Sequence, residues 1–364
     1  MDEHFYAVVM AGGGGTRMWP VSRKASPKQT LRLIGETSLF QRSLERLSVI
    51  FPPERIIVVT VAEQVAQLKE QCPFIPDNSI IVEPLPRGTA SVVGLAAIAI
   101  QLNDPQAVMA VVTADHFIGN TELFCHLLMA AKDVAREDYL VTLGIEPTFP
   151  STGYGYIQRG KLLGIYDGLN AFSVVKFKEK PDEEQAIEML KDGKHAWNSG
   201  MFVWSVKQIM DEFERQMSDL YSALQEISKA WATEDQDYVL SRVWPSIESE
   251  TIDYGIMEGA QNVAVIPAKG LDWSDVGSWD SLFGLLPEDD NGNIVACGNY
   301  INLDSVDSLV YVDKKDDERL FVTIGLENMI LVDTGDVVMV CAKDRAQDVR
   351  EVVRRLKKTG KNYL

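Results

Sequence analysis

Four consecutive glycines, Gly12 to Gly15, stand between an apolar run, Tyr6–Met10, and the basic side chain of Arg17. Without Cβ atoms the backbone there can take positive φ and approach a ligand closely. The N–H groups exposed by such a turn form a concave cradle for anionic oxygens. Thr16 closes the glycine run, and Lys28 follows behind Pro27. Bare amides with an arginine and a lysine at short range suit a triphosphate. Neither familiar phosphate loop is present. A dinucleotide fingerprint needs a third glycine where Arg17 or Met18 stands, and a Walker A loop would not end Gly15-Thr16-Arg17. A turn that merely joins strand to helix would account for the glycines but not for the cations.

Other segments place polar groups where chemistry is possible. Asp115 follows the apolar run Ala107–Val112; a carboxylate at the end of a buried strand can hold Mg²⁺, or can serve as a turn residue. Asp275, in Leu271–Trp279, could supply a second carboxylate or start a helix capped by Ser274 or Asp275. The Glu83–Ala90 loop is stiffened by Pro84 and Pro86, and Thr89 is positioned to cap the helix that follows. Lys180 stands before Pro181, which favours an extended backbone. Its ammonium could take a phosphate while Glu179 accepts hydroxyl hydrogens, although a Lys-Glu-Lys-Pro run also suits a solvated turn. Asn198, in an Asn-Ser-Gly turn, offers a donor and an acceptor in one plane.

Positioning these groups requires a scaffold, and the hydrophobic pattern supplies one. Strand-like runs at Tyr6–Met10, Ile56–Val61, Ser79–Val82, Ala107–Val112 and Tyr139–Leu143 alternate with helical patterns at Ser38–Ile50, Ala62–Gln71, Thr89–Leu102 and Thr121–Arg136. That alternation predicts an α/β fold, a Rossmann-like mostly parallel sheet flanked by helices, with ligands beyond the carboxyl ends of its strands. Ser151–Ile157 and Phe172–Phe177 read as antiparallel strands forming a lid over the sheet edge, followed by a helix at Asp182–Lys191. Val206–Arg242 reads as amphipathic helix. From about Asn291 short apolar runs separated by Gly, Asp and Asn turns predict a small β domain, with Val312–Arg319 as a surface turn and a closing helix at Arg345–Lys357. The expected division is 1–288 for the catalytic domain and 289–364 for the β domain.

The chain of 364 residues is 46% apolar and carries 53 acidic against 35 basic residues, a net charge of −18. An acidic balance argues against nucleic-acid and anionic-membrane partners, which need a positive surface, while leaving room for a nucleotide held by a few local cations. The amino terminus does not read as a signal peptide, and Gly88–Leu102 is too short to span a bilayer. Four scattered cysteines form no CxxC, so a disulfide scaffold or zinc site is not expected and a cytoplasmic location fits.

The segment Ala11–Gln29, with its GGxGTR, Trp-Pro and Pro-Lys-Gln elements, resembles the signature of the sugar-1-phosphate nucleotidylyltransferases, and within them the guanylyltransferases that act on mannose 1-phosphate. Further similar motifs follow in the family's order: EPxxRxTA at Glu83–Ala90, Ala114-Asp115-His116, TGYGYI at Thr152–Ile157, FxEKP at Phe177–Pro181, NSGxF at Asn198–Phe202 and WSDVGSW at Trp273–Trp279. Gly88 stands where the family has Asn. Ser249–Met257 resembles a further segment that brings Asp253 and Glu258 near the sugar.

The resemblance implies a glycosyltransferase-A-like nucleotidyltransferase fold with a β-helical tail. It implies GTP and mannose 1-phosphate as substrates, with GDP-mannose and pyrophosphate as products. Arg17 and Lys28 would be catalytic, and Gly12, Gly13, Gly14, Gly15, Thr16, Glu83, Arg87, Gly88 and Thr89 would bind the nucleotide. Gly155, Glu179, Lys180 and Asn198 would bind the sugar phosphate, and Asp115 and Asp275 would hold Mg²⁺ or another divalent cation. No fused isomerase domain is expected, and the β tail makes a homodimer plausible. Two alternatives stay open: another pair of nucleotide and sugar phosphate, or a non-catalytic GDP-mannose-binding regulator.

Overall fold

A computed structural model describes residues 2–13, 15–313, 319–360 and 363–364. Gly14 and most of the expected Val312–Arg319 turn therefore lie outside the described residues. The chain divides into two compact units: Met1–Gly12 with Ser43–Ala114 and Ile118–Trp273, and Gly13–Arg42 with Asp115–Phe117 and Ser274–Leu364.

The first unit is built on strands β1 (Phe5–Met10), β2 (Ile56–Val61), β3 (Ile80–Glu83), β4 (Val108–Thr113), β5 (Leu140–Ile145), β6 (Tyr156–Tyr166), β7 (Leu169–Lys178), β8 (His195–Ser205) and β9 (Val263–Pro267). Among the described residues they form one nine-stranded sheet in the order β3-β2-β1-β4-β8-β5-β9-β7-β6. Strands β1 to β4 are mutually parallel, and β5 pairs parallel with β9. Only β7 and β8 run against the common direction. The sheet is thus mostly parallel, as the alternating pattern predicts, and the carboxyl ends of β1, β3 and β4 share one edge.

Helices α1 (Leu39–Leu47), α2 (Ala62–Gln71), α3 (Thr89–Asn103), α4 (Thr121–Ala135) and α5 (Glu183–Lys191) fall close to their expected spans. The sequence of α3 is apolar on every side, and the helix is buried through most of its length. The long amphipathic stretch is three helices, α6 (Val206–Gln216), α7 (Ser218–Ala230) and α8 (Gln236–Val243). Their inner faces join α3, Phe202 and Trp204 in one core; fully burying a side chain such as Phe213 is worth about 1.5–3 kcal/mol.

The middle region differs from the lid expected of it. Ser151–Gly155 is irregular, and β6 and β7 extend the main sheet, pairing antiparallel from Tyr156 with Lys178 to Tyr166 with Leu169. The exposed edge residues of that hairpin gave an alternating pattern that a separate lid would share. Asn-Ser-Gly is likewise no turn. It lies within β8, between β4 and β5, where a register shift at Thr142–Gly144 loosens the ladder.

The second unit joins the glycine-loop segment to the C-terminal strands β10 (Ile294–Ala296), β11 (Asn299–Leu303), β12 (Leu309–Val312), β13 (Leu320–Ile324), β14 (Met329–Asp333) and β15 (Val338–Ala342). Parallel pairing of β10, β12 and β14, and of β11 with β13, gives stacked β-helical turns. Strand β11 has few buried residues, and the hydrophobic pattern misses it. The closing helix begins with a 3₁₀ stretch, Lys343–Asp348, before α9 (Val349–Thr359). Met18, Trp19 and Leu33 share one core with Trp279, Ile330, Val349 and Val353.

Candidate active site

In the second unit, Arg17 sits on a single 3₁₀ turn, Thr16–Met18, that starts from Gly15 at φ 52°. Gly13 and Thr16 are exposed, Arg17 is half-buried, and Met18 anchors the turn in the core. Lys28 opens a second short turn behind Pro27 and is only 5% exposed. Its ammonium donates to Asp115 Oδ2 at 2.7 Å and to the Asp275 carbonyl at 2.5 Å. The structure therefore brings Lys28, Asp115 and Asp275 together, from three separated parts of the sequence.

Burial raises the Asp115 carboxyl pKa, but the charges of Lys28 and His116 and the hydrogen bond from Lys28 outweigh it and hold the group below the usual carboxylate value. Asp115 is thus ionised at neutral pH. Asp275 Oδ1 accepts from the Gly277 N–H at 3.1 Å, and the buried Val276 between them has φ 46°, a left-handed backbone rare for a β-branched residue. That strained turn holds the Asp275 carbonyl on Lys28. The helix cap is neither Ser274 nor Asp275. Ser278 caps the short Trp279–Leu282 turn with Ser281, because the backbone of Asp275–Gly277 is committed to the preceding turn.

The fit of a divalent cation follows from these donors. Among the described residues no group of three or more Asp, Glu, His or Cys side chains is arranged to hold a metal ion, which is unlike a closed structural zinc site. The Asp115 carboxylate and the Asp275 backbone, tied together by one buried ammonium, suit Mg²⁺, which takes one or two protein carboxylates and completes its shell with phosphate oxygens and water.

In the first unit, Gly12, Glu83, Arg87, Gly88 and Thr89 gather near the ends of β1 and β3. The Glu83 carboxylate is 3% exposed, and a Cβ on Gly12 would lie 2.8 Å from its Oε1. Burial pushes the Glu83 pKa up to about 7, against a lowering hydrogen bond from the Arg87 backbone, and Oε2 has no hydrogen-bond partner among the described residues. The Arg87 guanidinium donates to the Pro245 carbonyl.

Gly88 takes φ 83° and ψ 171°, and a Cβ there would fall 2.1 Å from the Glu250 carbonyl oxygen. The family's Asn has no room at this position. Thr89 does not cap α3. Gly88 occupies the N-cap without a side-chain bond, and the Thr89 hydroxyl instead accepts from the Ile252 N–H at 2.9 Å.

A third cluster, also in the first unit, holds Gly155, Glu179, Lys180 and Asn198. A Cβ on Gly155 would fall 2.2 Å from Glu179 Oε2, so any side chain there would displace that carboxylate. Glu179 is 8% exposed, its carboxylate accepts from Lys180 Nζ at 2.7 Å, and its N–H donates to Glu258 Oε1 at 3.0 Å. Lys180 is not extended. It has φ 45°, and this reversal turns its ammonium back onto the neighbouring Glu179, an ion pair that an extended chain would separate.

Asn198 Oδ1 accepts from the Gly200 N–H at 3.0 Å, and Nδ2 donates to Asp253 Oδ1 at 2.7 Å. Burial first, and then the charge of Glu179, push the Asp253 pKa up to about 6. Asp253 opens a π-helical turn, Asp253–Met257, a feature without a sequence period by which it could be found.

Comparison with known proteins follows the same lines. The nucleotidyl transferase family profile matches residues 6–292, and the MannoseP isomerase/GMP-like beta-helix domain profile matches 298–356. A mannose-1-phosphate guanylyltransferase of Klebsiella pneumoniae is 36% identical over 364 residues, covering 98% of this chain and 74% of that protein. The chain belongs to the mannose-1-phosphate guanylyltransferase family. Another member of that family, from Escherichia coli, is 35% identical, covering 99% of this chain and 75% of its own length. A Thermus thermophilus crystal structure, described as a mannose-1-phosphate geranyltransferase, superposes with a TM-score of 0.86 at 34% identity, over 97% of this chain and 99% of that one. The fold of this family, a nucleotidyltransferase sheet with a β-helical C-terminal domain, is therefore the fold described above.

Proposed function

We propose that the chain transfers GMP from GTP to α-D-mannose 1-phosphate, forming GDP-mannose and pyrophosphate. The observation that carries this reading is the Lys28 ammonium bound to Asp115 and to the Asp275 carbonyl, in the same unit as Gly13, Gly15 and Arg17. This set suits an anion-rich reaction that needs charge held in place rather than a protein nucleophile. A phosphate oxygen of the sugar phosphate attacks the α-phosphorus of GTP in line. The new P–O bond forms as the bond to the bridging β-phosphate oxygen breaks, and pyrophosphate leaves with that electron pair.

Arg17, the glycine-loop amides and Thr16 bind the triphosphate and offset charge on the departing pyrophosphate. Lys28 holds Asp115 and Asp275 in register. A divalent cation bound by those two carboxylates would screen the repulsion between the two anionic reactants. Glu83 is proposed to accept from guanine N1–H and the exocyclic amino group, with Arg87, Gly88 and Thr89 shaping that loop. On the sugar, Glu179 and Asn198 read hydroxyls, Lys180 meets the phosphate, and Gly155 leaves the space. Asp253 orients the Asn198 amide. These residues all lie within 1–288, the span assigned to catalysis; 289–364 forms the β-helical extension. A cytoplasmic location and a homodimer belong to the same proposal; no helix among the described residues is long and apolar enough to cross a membrane.

The test is a metal titration. Asp275→Asn is expected to raise the Mg²⁺ concentration needed for half-maximal turnover, and Arg17→Ala to lower kcat by on the order of 100-fold with the fold retained. An unchanged metal titration and wild-type turnover would remove both residues from these roles.

A further inference from the structure

The one cationic side chain assigned to the triphosphate is Arg17, because the buried Lys28 ammonium is already bonded to Asp115 and to the Asp275 carbonyl. Arg17 would then meet the most highly charged part of the substrate with little help. The second unit supplies another cation. The turn that carries Arg17 packs directly on α9. Met18, the residue after Arg17, is buried in one cluster with Val349 and Val353 of that helix. Trp19 fastens the same junction, with its indole N–H donating to the Tyr363 carbonyl at 2.6 Å. Arg350 is next to Val349 on the first turn of α9 and is exposed.

Local desolvation, and then the nearby positive charge of Arg17, pull the Arg350 guanidinium below its ordinary pKa, while Asp275 pulls it up. The two guanidiniums thus share one electrostatic environment. Like charges on two elements that pack together repel, and an anion bound by both relieves that repulsion. Neither Arg17 nor Arg350 donates a hydrogen bond or closes an ion pair among the described residues, whereas Arg345, Arg354 and Arg355 on the same C-terminal segment all pair with carboxylates. A planar guanidinium fork is well matched to phosphate oxygens.

We propose that Arg350, carried by the β-helical extension, joins Arg17 in binding the terminal phosphates of the nucleoside triphosphate and the pyrophosphate that leaves. This rests on the nucleotidyl-transfer reading and adds a residue from outside the span assigned to catalysis. It makes the C-terminal segment a contributor to the reaction as well as to the core it shares with the Arg17 turn.

Calorimetric titration of inorganic pyrophosphate, with Mg²⁺, into the full chain tests it. Arg350→Ala is expected to weaken pyrophosphate binding by about tenfold or more, the usual scale of a lost charge-assisted hydrogen bond. Arg350→Lys should restore part of the affinity. The KM for GTP should rise, and that for mannose 1-phosphate should stay near wild type. Arg355→Ala, on the same helix but paired with Glu351, controls for the general field. Wild-type pyrophosphate affinity in Arg350→Ala, with Arg17→Ala still impaired, would overturn the inference and leave the function standing. Equal weakening by Arg355→Ala would also overturn it. Normal binding in Arg17→Ala and Arg350→Ala alike would instead sink the phosphate-loop reading itself.

Discussion

Two buried carboxylates, Glu83 and Asp253, carry predictions at the scale of single residues. Glu83 is ionised in the unfolded chain above pH about 4.5, whereas burial raises its folded pKa to about 7. A raised carboxyl pKa stabilises the fold at low pH. That contribution is fully present below about 4.5 and is lost as pH rises through about 7. The shift corresponds to roughly 3 kcal/mol. Urea unfolding of wild type and Glu83→Gln at pH 5 and 8 should show that only the wild type carries this pH-dependent loss; parallel behaviour would place the Glu83 carboxylate in water. Asp253 gives a kinetic prediction. Removing it in Asp253→Ala frees Asn198 Nδ2 from its 2.7 Å acceptor, and the KM for mannose 1-phosphate should rise by about tenfold. Asp253→Asn retains a carbonyl acceptor and should recover most of that loss. Steady-state kinetics with each substrate varied at saturating levels of the other would decide, and an effect confined to GTP would contradict the role.

At the scale of elements, the junction between β3 and α3 sets the strictest requirement. Gly88 has a backbone that is essentially reserved for glycine, with the Glu250 carbonyl against it. Introducing the family's asparagine as Gly88→Asn should cost about 1–3 kcal/mol from backbone strain alone, with the steric clash added. Denaturant unfolding measures this, and unchanged stability would mean that the loop can move away from Glu250. The same junction shows what the sequence could reveal. Strands β1 to β5 and helices α2 to α4 were legible because their hydrophobic periods are strong and local. The glycine loop, Asp115 and Asp275 were legible as motifs. What was hidden depends on distant partners: Thr89 spent on Ile252, Lys180 folded back on Glu179, Asn-Ser-Gly held within β8, and Asp253 presented by a π-turn. No period of two or 3.6 marks such positions. The buried Lys28 bridge is of this kind too, since nothing in Pro27-Lys28 shows that Asp275 will receive its second hydrogen bond.

The molecule as a whole is strongly acidic, with a net charge of −18, yet its proposed substrates are polyanions. Charges of one sign over the surface keep a protein soluble but oppose an anionic ligand at long range. Binding therefore has to come from short-range cations, and Arg17 and Arg350, which lie within one unit, are proposed to provide them. The family shows which chemistry such a scaffold supports; the substrate pair used by this chain is the central claim. Its most direct test is pyrophosphate release from the purified chain with Mg²⁺ and matched pairs: GTP with mannose 1-phosphate, against UTP or ATP and against glucose 1-phosphate. Release should be fastest with GTP and mannose 1-phosphate and fall steeply when either member is replaced. Faster release with another pair would contradict the assigned substrates, and silence from every pair while GDP-mannose still binds would contradict catalysis itself.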